Sequence, residues 1–129
     1  MGEIKIPYTD KPFKVFDSLC RFVKKYNGIS KNEVLVPNVL YPLPLDFIKI
    51  DDKCTCTDLY AYVNNQHYFH FLMFRNHEYM FEDRLILDYI VTDIYLNKKG
   101  VITKSSERTF FDDCILEEYL YTNWVIYEK

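Results

Sequence analysis

Glycine is scarce in this 129-residue sequence. It occurs at positions 2, 28 and 100 only, and none of the three sits in a strand-to-helix motif that could cradle a phosphate. Nucleotide-dependent chemistry is therefore not expected. Long apolar runs are also missing: nothing approaches the roughly 20 residues that a membrane-spanning helix needs. Met1 to Pro7 has neither the apolar stretch nor the cleavage site of a signal peptide. These absences predict a cytoplasmic protein with no membrane partner. Positive charge is not in surplus, with 16 Lys and Arg against 19 Asp and Glu and a formal charge of −3. Phosphate neutralisation needs the opposite balance, so no nucleic-acid partner is expected. Four cysteines, Cys20, Cys54, Cys56 and Cys114, could form two bridges, but a core of this size does not need them and no export signal accompanies them. Reduced thiols are the expectation.

What the sequence has in abundance is aromatic side chain, with twelve Tyr and ten Phe in a composition that is 49% apolar. A chain of this length supports one hydrophobic core, and a single α+β domain spanning residues 1–129 is predicted. Asp10 and Pro12 suit a helix start. Phe13, Phe16, Leu19, Cys20, Val23 and Tyr26 then recur at helical spacing until Gly28, with Lys14, Asp17, Arg21, Lys24 and Lys25 mostly on the opposite side. Between Ser30 and Asp46, Ser30 and Glu33 have capping-box spacing, but Pro37, Pro42 and Pro44 argue against a long helix or a central strand. An irregular crossing segment is expected there.

Strands should follow at Phe47 to Ile50, Cys54 to Val63 and His67 to Phe74, the last apolar on both faces and so covered on both sides. Turns are expected at Asp51 to Lys53, Asn64-Asn65, Arg75 to Glu78 and Asn97 to Gly100. Leu85 to Leu96 fits either a strand or one helical face, and its β-branched content favours the strand. Val101 to Lys104 should pair back on it, completing an antiparallel meander. A second helix is predicted from near Ser106 to Thr122, with Phe110, Phe111, Cys114, Ile115 and Tyr119 on its apolar face, and a short strand at Trp124 to Tyr127. The plan is one antiparallel sheet packed by an N-terminal and a C-terminal helix.

Several constellations carry zinc or catalytic residue types. Cys54 and Cys56 share a strand face, but His67 and His70, three apart, point to opposite faces, so the four do not assemble a zinc site without a bulge. No metal and no cofactor is expected. Cys20 and Cys114 lie on predicted apolar stripes and read as core filler rather than nucleophiles. Arg75, His77 and Glu78 in one turn have the residue types of metal-free RNA cleavage without the geometry. No catalytic residue is assigned. A possible apolar pocket would be lined by His70, Tyr60 and Tyr62, the alternative reading being a small ligand-binding or hydrolytic enzyme.

The C-terminal region carries the other pattern: Asp113, Glu117 and Glu118 interleaved with Tyr119, Tyr121, Trp124 and Tyr127. Aromatic anchors among carboxylates suit docking onto a basic protein. The expected partner-binding residues are Asp113, Glu117, Glu118, Tyr121 and Trp124. The expected function is non-enzymatic: an inhibitor or immunity-type protein that neutralises a basic toxin or host factor. Self-association is a third reading.

Overall fold

A computed structural model of the chain describes residues 4–5, 15–50, 53–64, 69–96 and 102–128. Along them run β1 (Ile4–Lys5), α1 (Val15–Asn27), β2 (Val39–Pro42), β3 (Lys49–Ile50), β4 (Thr55–Val63), β5 (Phe69–Phe81), β6 (Arg84–Leu96), β7 (Ile102–Phe110), α2 (Asp113–Asn123) and β8 (Val125–Ile126). Six strands form one sheet in the order β7-β6-β5-β4-β2-β8, while β1 pairs with β3 separately. The fold is α+β. Its sheet is antiparallel except at one edge, where β8 runs parallel to β2. That edge departs from the antiparallel expectation because β8 is delivered by a helix rather than by a hairpin, and a crossover of this kind permits parallel pairing. Among the described residues no helix is long and apolar enough to cross a membrane.

Residues 69–75 of β5 are all buried, because the strand alternates into two cores. On one face Phe69, Phe71 and Met73 join Leu59, Ala61 and Val63 of β4, Ile94 and Leu96 of β6, and Leu19 and Val23 of α1. On the other face Leu72 and Phe74 join Tyr62, Val91 and Phe110, with Leu116, Tyr119 and Leu120 of α2 packed against them. The two helices therefore cover opposite faces. The two-sided burial expected of His67 to Phe74 holds from Phe69 onward; His67 lies outside the described residues.

α1 ends as expected at Gly28, whose φ of 69° lets the chain turn without a Cβ penalty. The Ile29 N–H reaches the Lys24 carbonyl at 2.8 Å and the Gly28 N–H the Lys25 carbonyl at 3.3 Å, satisfying carbonyls of the last turn. Asp10 and Pro12 lie outside the described residues. Asn27, only 2% exposed, donates from Nδ2 to the Val23 and Pro42 carbonyls at 2.9 and 3.0 Å and so ties α1 to β2.

The chain is irregular over residues 30–38, as expected, and Ser30 accepts from the Asn32 and Glu33 N–H groups to close a turn. Three local expectations are corrected. β2 lies inside the sheet although it contains Pro42, because the proline is its last residue and ends the ladder. Asn76, His77 and Glu78 are strand, and the reversal comes at Glu82 and Asp83, both at positive φ. Ser106 begins no helix, since β7 runs on to Phe110 and α2 starts only after Asp112. The predicted apolar face of α2 holds only at Tyr119, which faces the sheet with Leu116 and Leu120; Phe111, Cys114 and Ile115 are exposed, and Phe110 is buried as the last residue of β7. Cys114 is consequently not core filler. Leu85 to Leu96 is strand, as expected.

Candidate functional site

A β-bulge shapes the site. Cys56 pairs with Arg75 and Asp58 with Phe74, leaving Thr57 as the extra residue of β4. The bulge sends Cys56 to the α1 face and Asp58 to the α2 face, beside Tyr60. Thr57 donates from Oγ1 to the Phe74 carbonyl at 3.3 Å, which holds the distortion in place.

Asp58 and Tyr60 lie on the floor of a cleft of about 370 Å³ between the sheet and α2. Phe74 and Tyr89 continue the floor, and Asp113, Glu117 and Tyr121 form the helical wall. Tyr60 meets Phe74 edge-on at 5.7 Å. Three carboxylates and three tyrosines thus border one opening. Arg75 lies at its margin, but its guanidinium turns to the opposite face, where Nη2 donates to Glu107 at 2.7 Å and to Thr92 at 2.9 Å. Burial pushes the Asp58 carboxyl above the ordinary carboxylate range. Burial first, then the charge of Asp58 and the proximity of Tyr121, push the Tyr60 hydroxyl up to about 12. The burial behind both shifts penalises charge of either sign, while Asp58, Asp113 and Glu117 at one opening are the groups that would offset it for a cation.

The partner-binding residues expected from sequence separate into two groups. Asp113, Glu117 and Tyr121 line the cleft together, with Tyr121 69% exposed. Glu118 is exposed outside it. Trp124 is half-buried, edge-on to Tyr62 at 6.0 Å and to Tyr119 at 5.4 Å, so it anchors the end of α2 to the sheet. Asp58 and Tyr89 were missed. The only sequence signal for Asp58 was its polar character in an otherwise regular strand, and Tyr89 reaches the cleft through a strand pairing with no local signature.

His70 and Tyr62 do come together, stacked at 4.7 Å, but Tyr60 belongs to the cleft and they do not line it. Tyr62 donates to both Asp93 carboxylate oxygens, at 3.0 and 2.8 Å, and Tyr95 donates to Oδ2 at 3.2 Å. Burial, followed by the charge of Asp93, raises the Tyr62 hydroxyl pKa strongly. His70 meets Tyr95 edge-on at 4.5 Å, and its Nε2 lies 3.0 Å from the Asn64 side-chain amide. The cluster locks β4, β5 and β6 together on the α2 face.

Cys54, Cys56 and Cys114 are not poised for attack. Burial first and Glu107 second raise the Cys54 thiol, burial and then Asp58 raise Cys56, and Asp112 and Asp113 raise Cys114. Raised thiols stay protonated and weakly nucleophilic. Cys56 and His70 occupy opposite faces, five residues apart along the β5 register, so they share no ligand set. Arg75 and His77 point to one face of β5 and Glu78 to the other, so that triad is not assembled either. No protein-family model, curated protein or solved structure matches this chain.

Proposed function

We propose that this protein is a non-enzymatic binding module that takes a Lys or Arg side chain of a basic protein partner into the cleft between α2 and the sheet. The observation that carries the reading is the convergence of Asp58, Asp113 and Glu117 on a cleft floored and walled by Tyr60, Phe74, Tyr89 and Tyr121. Carboxylates steer and hold the cation, and aromatic faces attract it through their quadrupoles. An inhibitor or immunity-type protein works in this way when the cation belongs to the working site of a toxin or host factor.

The test is capture of a stoichiometric partner from lysate of the protein's own cells, repeated with Glu117→Lys. Reversal is expected to weaken binding by about tenfold or more, equivalent to about 1.4 kcal/mol, and added salt should weaken the wild-type complex in the same direction. A partner retained equally by the reversed variant would overturn the assignment to this cleft.

A further inference from the structure

β5 and β6 are longer than their neighbours. β4 leaves β5 at Asn76, and β7 leaves β6 at Tyr89, so residues 77–88 project as a two-stranded arm with both edges open. The arm is apolar near its tip: Met80 and Leu85 are each 65% exposed and Phe81 60%. Open edges in monomeric proteins are normally blunted by proline, charged side chains or a bulge. The β6 edge, Arg84-Leu85-Ile86-Leu87-Asp88, has no proline and no bulge, and its two charges are of opposite sign at either end of an apolar centre.

We infer that two copies of this chain pair antiparallel along this edge, about a two-fold axis at Ile86. The segment is its own complement. In that register Arg84 of each copy faces Asp88 of the other, Leu85 faces Leu87, and Ile86 faces Ile86. Opposite charges meet at both ends around an apolar centre, as an isologous interface requires. The backbone agrees. Glu82 and Asp83, at φ 49° and 62°, form a two-residue turn of the type that makes Phe81 and Arg84 a hydrogen-bonded pair. Alternation along β6 then turns the N–H and C=O of Leu85 and Leu87 outward, the groups that antiparallel pairing about Ile86 joins.

Arg84 is exposed and makes no ion pair among the described residues. Asp88 is half-buried: it faces the Tyr79 hydroxyl and keeps Oδ1 out of solvent without a hydrogen-bond partner, so in the dimer its carboxylate turns outward to meet Arg84 of a second copy. The other edge of the arm lacks this complementarity: pairing about Tyr79 would set Glu78 against Met80 and His77 against Phe81. None of Arg84 to Asp88 lines the cleft, whose nearest lining residue on β6 is Tyr89.

Sedimentation velocity over a concentration series tests the inference. The wild-type chain is expected to pass from monomer to dimer. Arg84→Asp and Leu85→Lys should each remain monomeric at the concentration where half the wild-type chain is dimeric. Arg84→Asp combined with Asp88→Arg should recover the dimer, with circular dichroism confirming the fold of every variant. A wild-type chain that stays monomeric throughout, a dimer that survives Leu85→Lys, or a double reversal that stays monomeric would overturn it.

Discussion

His70 is held between two tyrosine rings and has an Nδ1 without a hydrogen-bond partner, so its proton is a sensitive reporter of folding. Burial lowers its pKa from the ordinary 6.5. The unfolded chain therefore binds this proton more readily than the folded one. The stability linked to the neutral ring is complete above about pH 6.5 and is lost as pH falls from there through the lowered folded value. His70→Gln is expected to remove that part of the acid sensitivity, read from urea midpoints taken from pH 6.5 downward; equal slopes in both proteins would contradict it. The burial of His70 was legible because its strand is apolar on both faces, which marks it as covered on both sides. Its surroundings were not, since Asp93 lies 31 residues beyond Tyr62 and joins it only through sheet register.

At the scale of the element, the helix end that position alone decides is the start of α2. Asp112 accepts from the Cys114 N–H at 2.7 Å and satisfies one of the unpaired donors of the first turn. Asp112→Ala is expected to cost about 0.5–2 kcal/mol, measured by denaturant unfolding; an unchanged midpoint would mean that tertiary packing alone fixes the helix. The sequence placed this helix too early for an identifiable reason. Thr109 and Asp112 have the spacing of a capping box, while Glu107, Arg108 and Thr109 offer no apolar alternation to mark the strand they belong to. β7 is extended because β6 supplies its hydrogen-bonding edge, a non-local cause. The strand at Leu85 to Leu96 was legible from its β-branched residues. The arm was not, because His77 and Glu78 carry turn-like polarity and their strand character comes from pairing with Asp88 and Leu87.

For the molecule as a whole, two helices on opposite faces of one sheet leave β5 buried on both sides and place α2 as the wall of an acidic aromatic cleft. Half of that cleft was legible as the interleaving of Asp113, Glu117 and Tyr121. The other half comes from Asp58, Tyr60, Phe74 and Tyr89 on three strands, assembled by a bulge and by sheet order that no local pattern encodes. Because Asp58 is held above its ordinary range by burial, a bound cation that favours its ionised form should bind more weakly as pH falls through that raised value.

The most direct measurement is a nuclear magnetic resonance titration with a short oligoarginine peptide, using oligoglutamate as the control. The cleft account predicts shifts concentrated at Asp58, Tyr60, Tyr89, Asp113, Glu117 and Tyr121, saturable with oligoarginine, absent with oligoglutamate and lost in Glu117→Lys. Shifts spread over the α1 face, or no saturable shift at the cleft, would contradict it.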